Sequence, residues 1–155
     1  MKKRSEVIEL YRVLDSIVKK GNVKFKLLVF KNKKQIEDEI KFLQSIEEGH
    51  NEIIKEYQDQ YYNVMREYGI GKDGNLVIDK NSKSFNKVIK KLKEVEENNQ
   101  DTIKLFQEKQ KEYQELLKEE IDLEFEPVII SEDLLPDDLT DKELESVCDD
   151  SLFSE

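Results

Sequence analysis

Few residues in this chain bring chemistry of their own. Among 155 residues there is one histidine, His50, and one cysteine, Cys148. A single thiol excludes an intramolecular disulfide and a cysteine-based zinc cluster, and a single imidazole excludes a histidine-rich metal site. His50 follows Glu47 by three residues, which puts the imidazole and the carboxylate on one side of a helix. Such a pair has the makings of a pH switch or a ligand site. No nucleophile or electrophile accompanies it, so the expected role is structural: a polar layer that fixes helix register at some cost in stability.

Two glycine-containing runs also invite a chemical reading. Gly69, Gly71 and Lys72 suggest a phosphate loop, but a Walker loop needs Ser or Thr after Gly-Lys and a strand before it. Here Asp73 follows, and a helical pattern precedes. Asp73-Gly74-Asn75 suggests the middle of a calcium loop, yet Gly69 and Gly71 would occupy ligand positions without oxygen-bearing side chains. No catalytic, cofactor-binding or metal-binding residue is assigned, and no cofactor is expected.

Charge narrows the partners. The formal net charge is −10, with 40% of residues charged. Residues 131–155 hold ten acids and one base, Lys142, whereas residues 1–130 balance 25 bases against 26 acids. A near-neutral mixture of Lys and Glu is the surface of solvated helices and a poor match for nucleic acid, which needs a basic stripe. Lysine outnumbers arginine 23 to 3, and arginine is the usual bidentate phosphate reader. Direct nucleic-acid binding is not expected. No apolar run reaches the roughly 20 residues that span a bilayer, and no signal-peptide core follows the basic start, so no membrane partner is expected either.

The elements that must position these residues are mostly helical. Val7, Leu10, Tyr11, Leu14, Ile17 and Val18 share one face, which predicts a short helix from Ser5, as cap, to Lys20, with Gly21 as the stop. Val23–Phe30 reads either as a strand or as the start of a helix. The next stripe favours the helix: Ile36, Ile40, Leu43, Glu47, His50, Ile54, Tyr57, Tyr61, Val64 and Tyr68 alternate steps of four and three. Phe25, Val29 and Asn32 extend it backward. One helix from about Lys24 to Tyr68, about 65 Å long at 1.5 Å per residue, is predicted.

Gly69–Asn75 breaks that helix, and Leu76-Val77-Ile78 is a short extended piece. Asn81 or Ser82 is then positioned to cap a second long helix. Its seam is Phe85, Val88, Leu92, Val95, Asn99, Thr102, Phe106, Gln110, Tyr113 and Leu117. Two such helices predict a long antiparallel, coiled-coil-like hairpin. With the loop centred near 76–77, His50 would face Ile103, and Glu47, His50, Asn99 and Thr102 would form one polar layer.

Ile121–Glu126 alternates strictly, as a strand does, which predicts a small β element near 121–130 whose partner is open. The fold class is therefore mainly α. Residues 1–130 form the hairpin domain, and 131–155 form an acidic tail with one short helix. There Thr140 to Glu143 is a capping box, and Leu139, Leu144 and Val147 are placed to dock back. Beyond Cys148 the chain is expected to fray.

Off-seam apolar residues suggest contact surfaces. Phe42, Ile46 and Ile53 form a second stripe on the first long helix, a candidate face for self-association or for a larger assembly. Tyr62 is off-phase and a lesser surface candidate. The tail spreads its charge at one per about 9 Å when extended, against one per about 1.7 Å for duplex DNA. It is a thin DNA mimic and reads first as a solubilising tail.

The arrangement as a whole resembles an uncharacterised family of small coiled-coil proteins encoded by tailed bacteriophages. The residues carrying the resemblance are the Phe25–Asn32 lead-in, the Ile36–Tyr68 Glu/Lys helix, the Gly-Asn-Leu-Val-Ile-Asp loop, and the Phe85-Asn-Lys start. The Glu119–Ile130 and Leu134–Leu144 runs complete it. The resemblance implies a phage origin, a long helical hairpin with a small β element, and no catalytic residues. The expected function is non-enzymatic: a virion component or assembly factor with a protein partner from phage or host, in the host cytoplasm or incorporated into the virion. The alternative is an acidic inhibitor of a host defence nuclease or another nucleic-acid-binding protein.

Overall fold

The computed structural model describes residues 1–72, 74–150 and Leu152, with the side chains of Ile70 and Lys72 left aside. The Asp73 part of the calcium-loop reading and the Lys72 side chain of the phosphate-loop reading lie outside the described residues. The element order is β1 (Lys2–Lys3), α1 (Arg4–Ile17), α2 (Val23–Tyr68), β2 (Ile70–Lys72), β3 (Asn75–Val77), α3 (Phe85–Asn98), α4 (Gln100–Lys118), β4 (Glu120–Ile121), a 3-10 turn (Glu132–Leu134) and α5 (Asp141–Asp149). The fold is mainly α, as the periodicity predicts. The described residues form two compact bodies, Met1–Ser45 with Gln114–Glu155, and Ile46–Tyr113. The hairpin and tail division at 130 is therefore not the one the contacts draw.

In the first body, α1 packs its Val7, Leu10, Leu14 and Ile17 face against Phe25, Val29, Ile36 and Ile40 of α2. Full burial of such side chains contributes about 1.5–3 kcal/mol each, before chain entropy is charged against it. Lys3, not Ser5, is the cap of α1, and its N–H donates to the Glu6 carboxylate at 2.8 Å. Gly21 at φ 71 turns the chain, and a Cβ there would meet the Phe25 ring at 2.6 Å. Asn22 Oδ1 then accepts from the Phe25 N–H at 2.9 Å and starts α2. The local capping chemistry thus resolves Val23–Phe30 as helix.

The strand signal at 121–126 resolves differently. Only Glu120–Ile121 pairs, antiparallel to Lys2–Lys3. Beyond it, residues alternate between half-buried and exposed up to Glu126, yet no ladder runs alongside. The alternation is real because one side of an extended segment covers the core. Its backbone is satisfied by side chains of α2 rather than by a partner strand.

The tail is more ordered than expected. Thr140 Oγ1 accepts from the Glu143 N–H at 3.2 Å, so α5 starts where the capping signal puts it. Val147 is fully buried in the core, with Leu139 packed against it. Among the described residues past Cys148, α5 continues to Asp149 and Leu152 is fully buried; the rest of the expected frayed end, 151 and 153–155, lies outside the described residues. The Leu152 backbone accepts from the Ile130 N–H at 2.7 Å and donates to the Val147 carbonyl at 3.0 Å.

In the second body, α2 runs antiparallel to α3 and α4. Tyr68 meets Lys91, and further back along α2 Gln60 meets Asn99. All ten predicted seam positions from Phe85 to Leu117 are buried or half-buried, Leu117 lying in the first body. The second long helix is not continuous, however. Asn99, at φ −118 and ψ 17, separates α3 from α4. The connection also differs: β2 and β3 form a small hairpin with Gly71 opposite Leu76. Neither Asn81 nor Ser82 caps α3; Ser84 holds that position without a side-chain hydrogen bond.

Candidate functional site

Three residue groups carry the site question: the polar residues of the second body, the proposed apolar face, and the acids of the tail. The first group does not form a single layer. His50 is buried and stands edge-on to Tyr113, with ring centroids 5.9 Å apart and an interplanar angle of 87°. It does not face Ile103. The reason is the connection, because residues 78–84 are spent on the return path and α3 begins only at Phe85. Each facing residue on the return helices therefore lies later in the chain than a symmetric loop would place it.

Glu47 is exposed, and the inward place is taken by the half-buried Ile46. A step from Leu43 can be completed by either neighbour, since 3.6 residues per turn falls between three and four. The apolar one wins because burying an unpaired carboxylate is costly. The same choice recurs at Gln60 and Tyr61. Tyr61 is 36% exposed, while Gln60 Oε1 accepts from Asn99 Nδ2 at 2.8 Å. Asn99 Nδ2 also donates to the Val95 carbonyl at 2.7 Å. Thr102 is half-buried on the same stripe. The predicted quartet is thus divided: His50 with Tyr113, Asn99 with Gln60, and Glu47 in solvent.

Aromatic residues cluster toward the loop end. Tyr57 and Tyr61 rings lie 6.2 Å apart, and Tyr61 and Tyr62 6.3 Å apart. Burial holds the Tyr57 phenol above its ordinary pKa, reinforced by Glu96 and Tyr61. It stays neutral and acts as packing. Lys91 Nζ donates to Tyr68 Oη at 2.9 Å and sits 4.8 Å from the ring centroid. Tyr62 is 54% exposed, as its off-phase position predicts.

The candidate face of Phe42, Ile46 and Ile53 is not one stripe. Phe42 is 47% exposed and belongs to the first body, whereas Ile46 and Ile53 are half-buried in the second. Spacings of four and seven place the two isoleucines close enough to the seam to widen it.

Two of the tail's acids and its one lysine form ion pairs within the first body. Glu143 accepts from Lys20 at 3.1 Å, Asp150 pairs with Lys2, and Lys142 reaches Glu9 at 3.1 Å. Nearby, Arg4 joins Glu39 at 2.6 Å and Glu119 at 2.7 Å. Burial alone would lower its pKa, but the hydrogen bonds to both carboxylates outweigh that and raise it.

One constellation was missed by sequence reasoning. Asn32 Nδ2 donates to the Val128 carbonyl at 2.9 Å, and its Oδ1 accepts from the Val128 N–H at 2.7 Å. One turn on, Gln35 does the same with Glu126, both bonds at 2.9 Å. Two carboxamides on one helix face thus replace a partner strand for alternate residues of the extended segment. The available signal was a fully buried-phase Asn at position 32 with Gln35 beside it, and a strand-like run without a partner.

Among the described residues no cluster of three or more His, Cys, Asp or Glu side chains is arranged to hold a metal ion, and no helix is long and apolar enough to cross a membrane. Comparison of the chain with protein-family models, with curated proteins and with solved structures finds no match.

Proposed function

We propose that the protein is a non-enzymatic interaction protein of a tailed phage, a virion component or assembly factor that works through its helical surfaces. The observation that carries this reading is what the helices leave in solvent. Phe42, Tyr62, Ile89 and Leu105 are all 39–54% exposed on α2, α3 and α4. Single exposed apolar residues are ordinary, but their recurrence along long helices suits docking on a larger assembly. The phage setting rests on the resemblance described above. Mass spectrometry of purified virions beside infected-cell lysate tests it, with enrichment in virions or assembly intermediates expected. Recovery only with a host nuclease would favour the inhibitor reading. Against that second reading stands the use of Glu143 and Asp150 in ion pairs to Lys20 and Lys2, which leaves the tail less free to fill a basic channel.

A further inference from the structure

The near-neutral charge of residues 1–130 conceals a strongly polarised segment. Between Asp15 and Glu37 there is no acid, but there are seven lysines. Lys20 and Lys33 are tied to Glu143 and Asp15. Lys24, Lys26 and Lys31 are exposed and make no ion pair with any described residue. They surround a line of apolar side chains, Val23, Leu27 and Phe30, which are 82%, 52% and 53% exposed. The spacing of four and three puts these three in one row. Lys24 and Lys31, seven apart, flank one side of the row, and Lys26 flanks the other. The opposite side of the helix carries the buried Phe25, Val29 and Asn32.

Folding does not account for this face. The first turn of α2 contains no acid, and lysines near the positive end of a helix dipole are unfavourable. Val23 buries little, and Leu27 and Phe30 leave about half of their surface in solvent. The lysines and the dipole add to one positive potential, with an apolar ridge between them. We infer that the exposed face of the first turns of α2, Val23, Lys24, Lys26, Leu27, Phe30 and Lys31, docks the protein on an anionic lipid surface.

A lipid surface fits better than an acidic protein. Protein interfaces are depleted in lysine and favour arginine, and this face has lysine only. Long lysine stems lying along an apolar ridge, with the ammonium groups reaching outward, are the chemistry of helices that rest in the headgroup region. That no helix among the described residues could cross a membrane does not bear on such peripheral contact. The inference goes beyond the proposed function and does not depend on it.

The test is co-sedimentation of the full-length protein with vesicles of phosphatidylcholine containing phosphatidylglycerol, beside vesicles of phosphatidylcholine alone. Binding to the anionic vesicles only, weakened by high salt, is expected. Each lysine near the surface is expected to strengthen binding about fivefold. The triple variant Lys24→Gln, Lys26→Gln, Lys31→Gln should therefore bind roughly a hundredfold more weakly, with unchanged circular dichroism. Phe30→Ser should also weaken it. No sedimentation with anionic vesicles overturns the proposal, as does binding that neither variant alters. Vesicle indifference with capture by soluble polyglutamate would assign the face to an acidic protein. Vesicle indifference with a Phe30→Ser change in sedimentation equilibrium would assign it to self-association.

Discussion

Asn32 and Val128 exchange two hydrogen bonds across 96 residues of sequence, as two strands of a sheet would. The side chain of Asn32 is fully buried, and it also donates to the Leu28 carbonyl one turn back. A carboxamide is the one neutral side-chain group that offers a donor and an acceptor in the geometry of a peptide. It can therefore stand in for a strand where a helix lies alongside an extended chain. Gln35 repeats the pairing at Glu126 in a more exposed setting.

Replacing Asn32 by Leu should destabilise the protein even though the site is apolar. The backbone N–H and carbonyl of Val128 cannot be removed with the side chain, and leaving them unpaired costs about 2–4 kcal/mol in all. Gln35→Ala should cost about 0.5–1 kcal/mol, since water can replace its bonds. Urea unfolding curves of the two variants measure the difference. An Asn32→Leu variant as stable as the parent would show that the clamp is incidental.

His50 has the opposite expectation. Its Nδ1 is buried and has no hydrogen-bond partner among the described residues. Leu at this position removes an unsatisfied buried group, so His50→Leu should hold or raise the melting temperature, by up to about 1–3 kcal/mol of stability. Glu47→Leu should change stability by no more than about 0.5 kcal/mol, because the residue is exposed. A clear loss in His50→Leu would mean that the imidazole has a role the packing does not explain.

What the sequence made legible, and what it did not, follows from the physics of each element. The seam of the return helices is visible because apolar residues recur at helical spacing over many turns, and every position proposed for it points inward. The identity of the inward residue at ambiguous steps is not visible from spacing: Ile46 or Glu47, Gln60 or Tyr61. Burial costs decide there, and pairs such as Gln60–Asn99 form only once register is set. Register depends on how the connection spends its residues, which periodicity does not report. The extended run at 121–130 shows its two faces, but the partner is a pair of amides about 90 residues away. No local pattern encodes that.

Asp15 and Lys33 should give the protein a modest pH dependence at both ends. The Lys33 ammonium, hydrogen-bonded to the Asp15 carboxylate at 2.6 Å, holds that carboxyl below its usual range, and the Asp15 bond holds Lys33 above its own. The Asp15 contribution is present above the ordinary carboxyl pKa and is lost as pH falls through the lowered value. The Lys33 contribution is present below the ordinary lysine pKa and is lost as pH rises through the raised value. Asp15 is half-exposed, so solvent screening keeps the effect small. Asp15→Asn should flatten the acid side of a stability profile measured by thermal melts. Equal acid slopes in parent and variant would remove this pair from the account.

Phe42 and Ile46 separate a surface role from a packing role. Phe42→Lys should leave stability within about 0.5 kcal/mol, because about half of the residue is already in solvent and a lysine stem can lie along the same surface. Ile46→Lys should cost about 1–3 kcal/mol, since it drives a charge into a half-buried position. If Phe42 lies on an assembly surface, its variant alone should shift association in sedimentation equilibrium. Equal destabilisation by both variants would place Phe42 in the packed interior instead.

Leu152 gives the sharpest test of the tail. A solubilising tail predicts no penalty for truncating its last apolar side chains, whereas the structure buries Leu152 fully, with Ile130 and Val147 bonded to its backbone. Leu152→Ala should cost about 2–4 kcal/mol, the usual range for removing a buried leucine side chain and leaving a cavity. The loss should exceed that of Leu105→Ala, where the side chain is 43% exposed. Both variants can be compared by chemical denaturation at fixed protein concentration. If Leu152→Ala were as stable as Leu105→Ala, the C-terminal region would not belong to the core of the first body. Its acids would then be free for a partner, and the inhibitor reading would regain the support that the Lys20 and Lys2 ion pairs take from it.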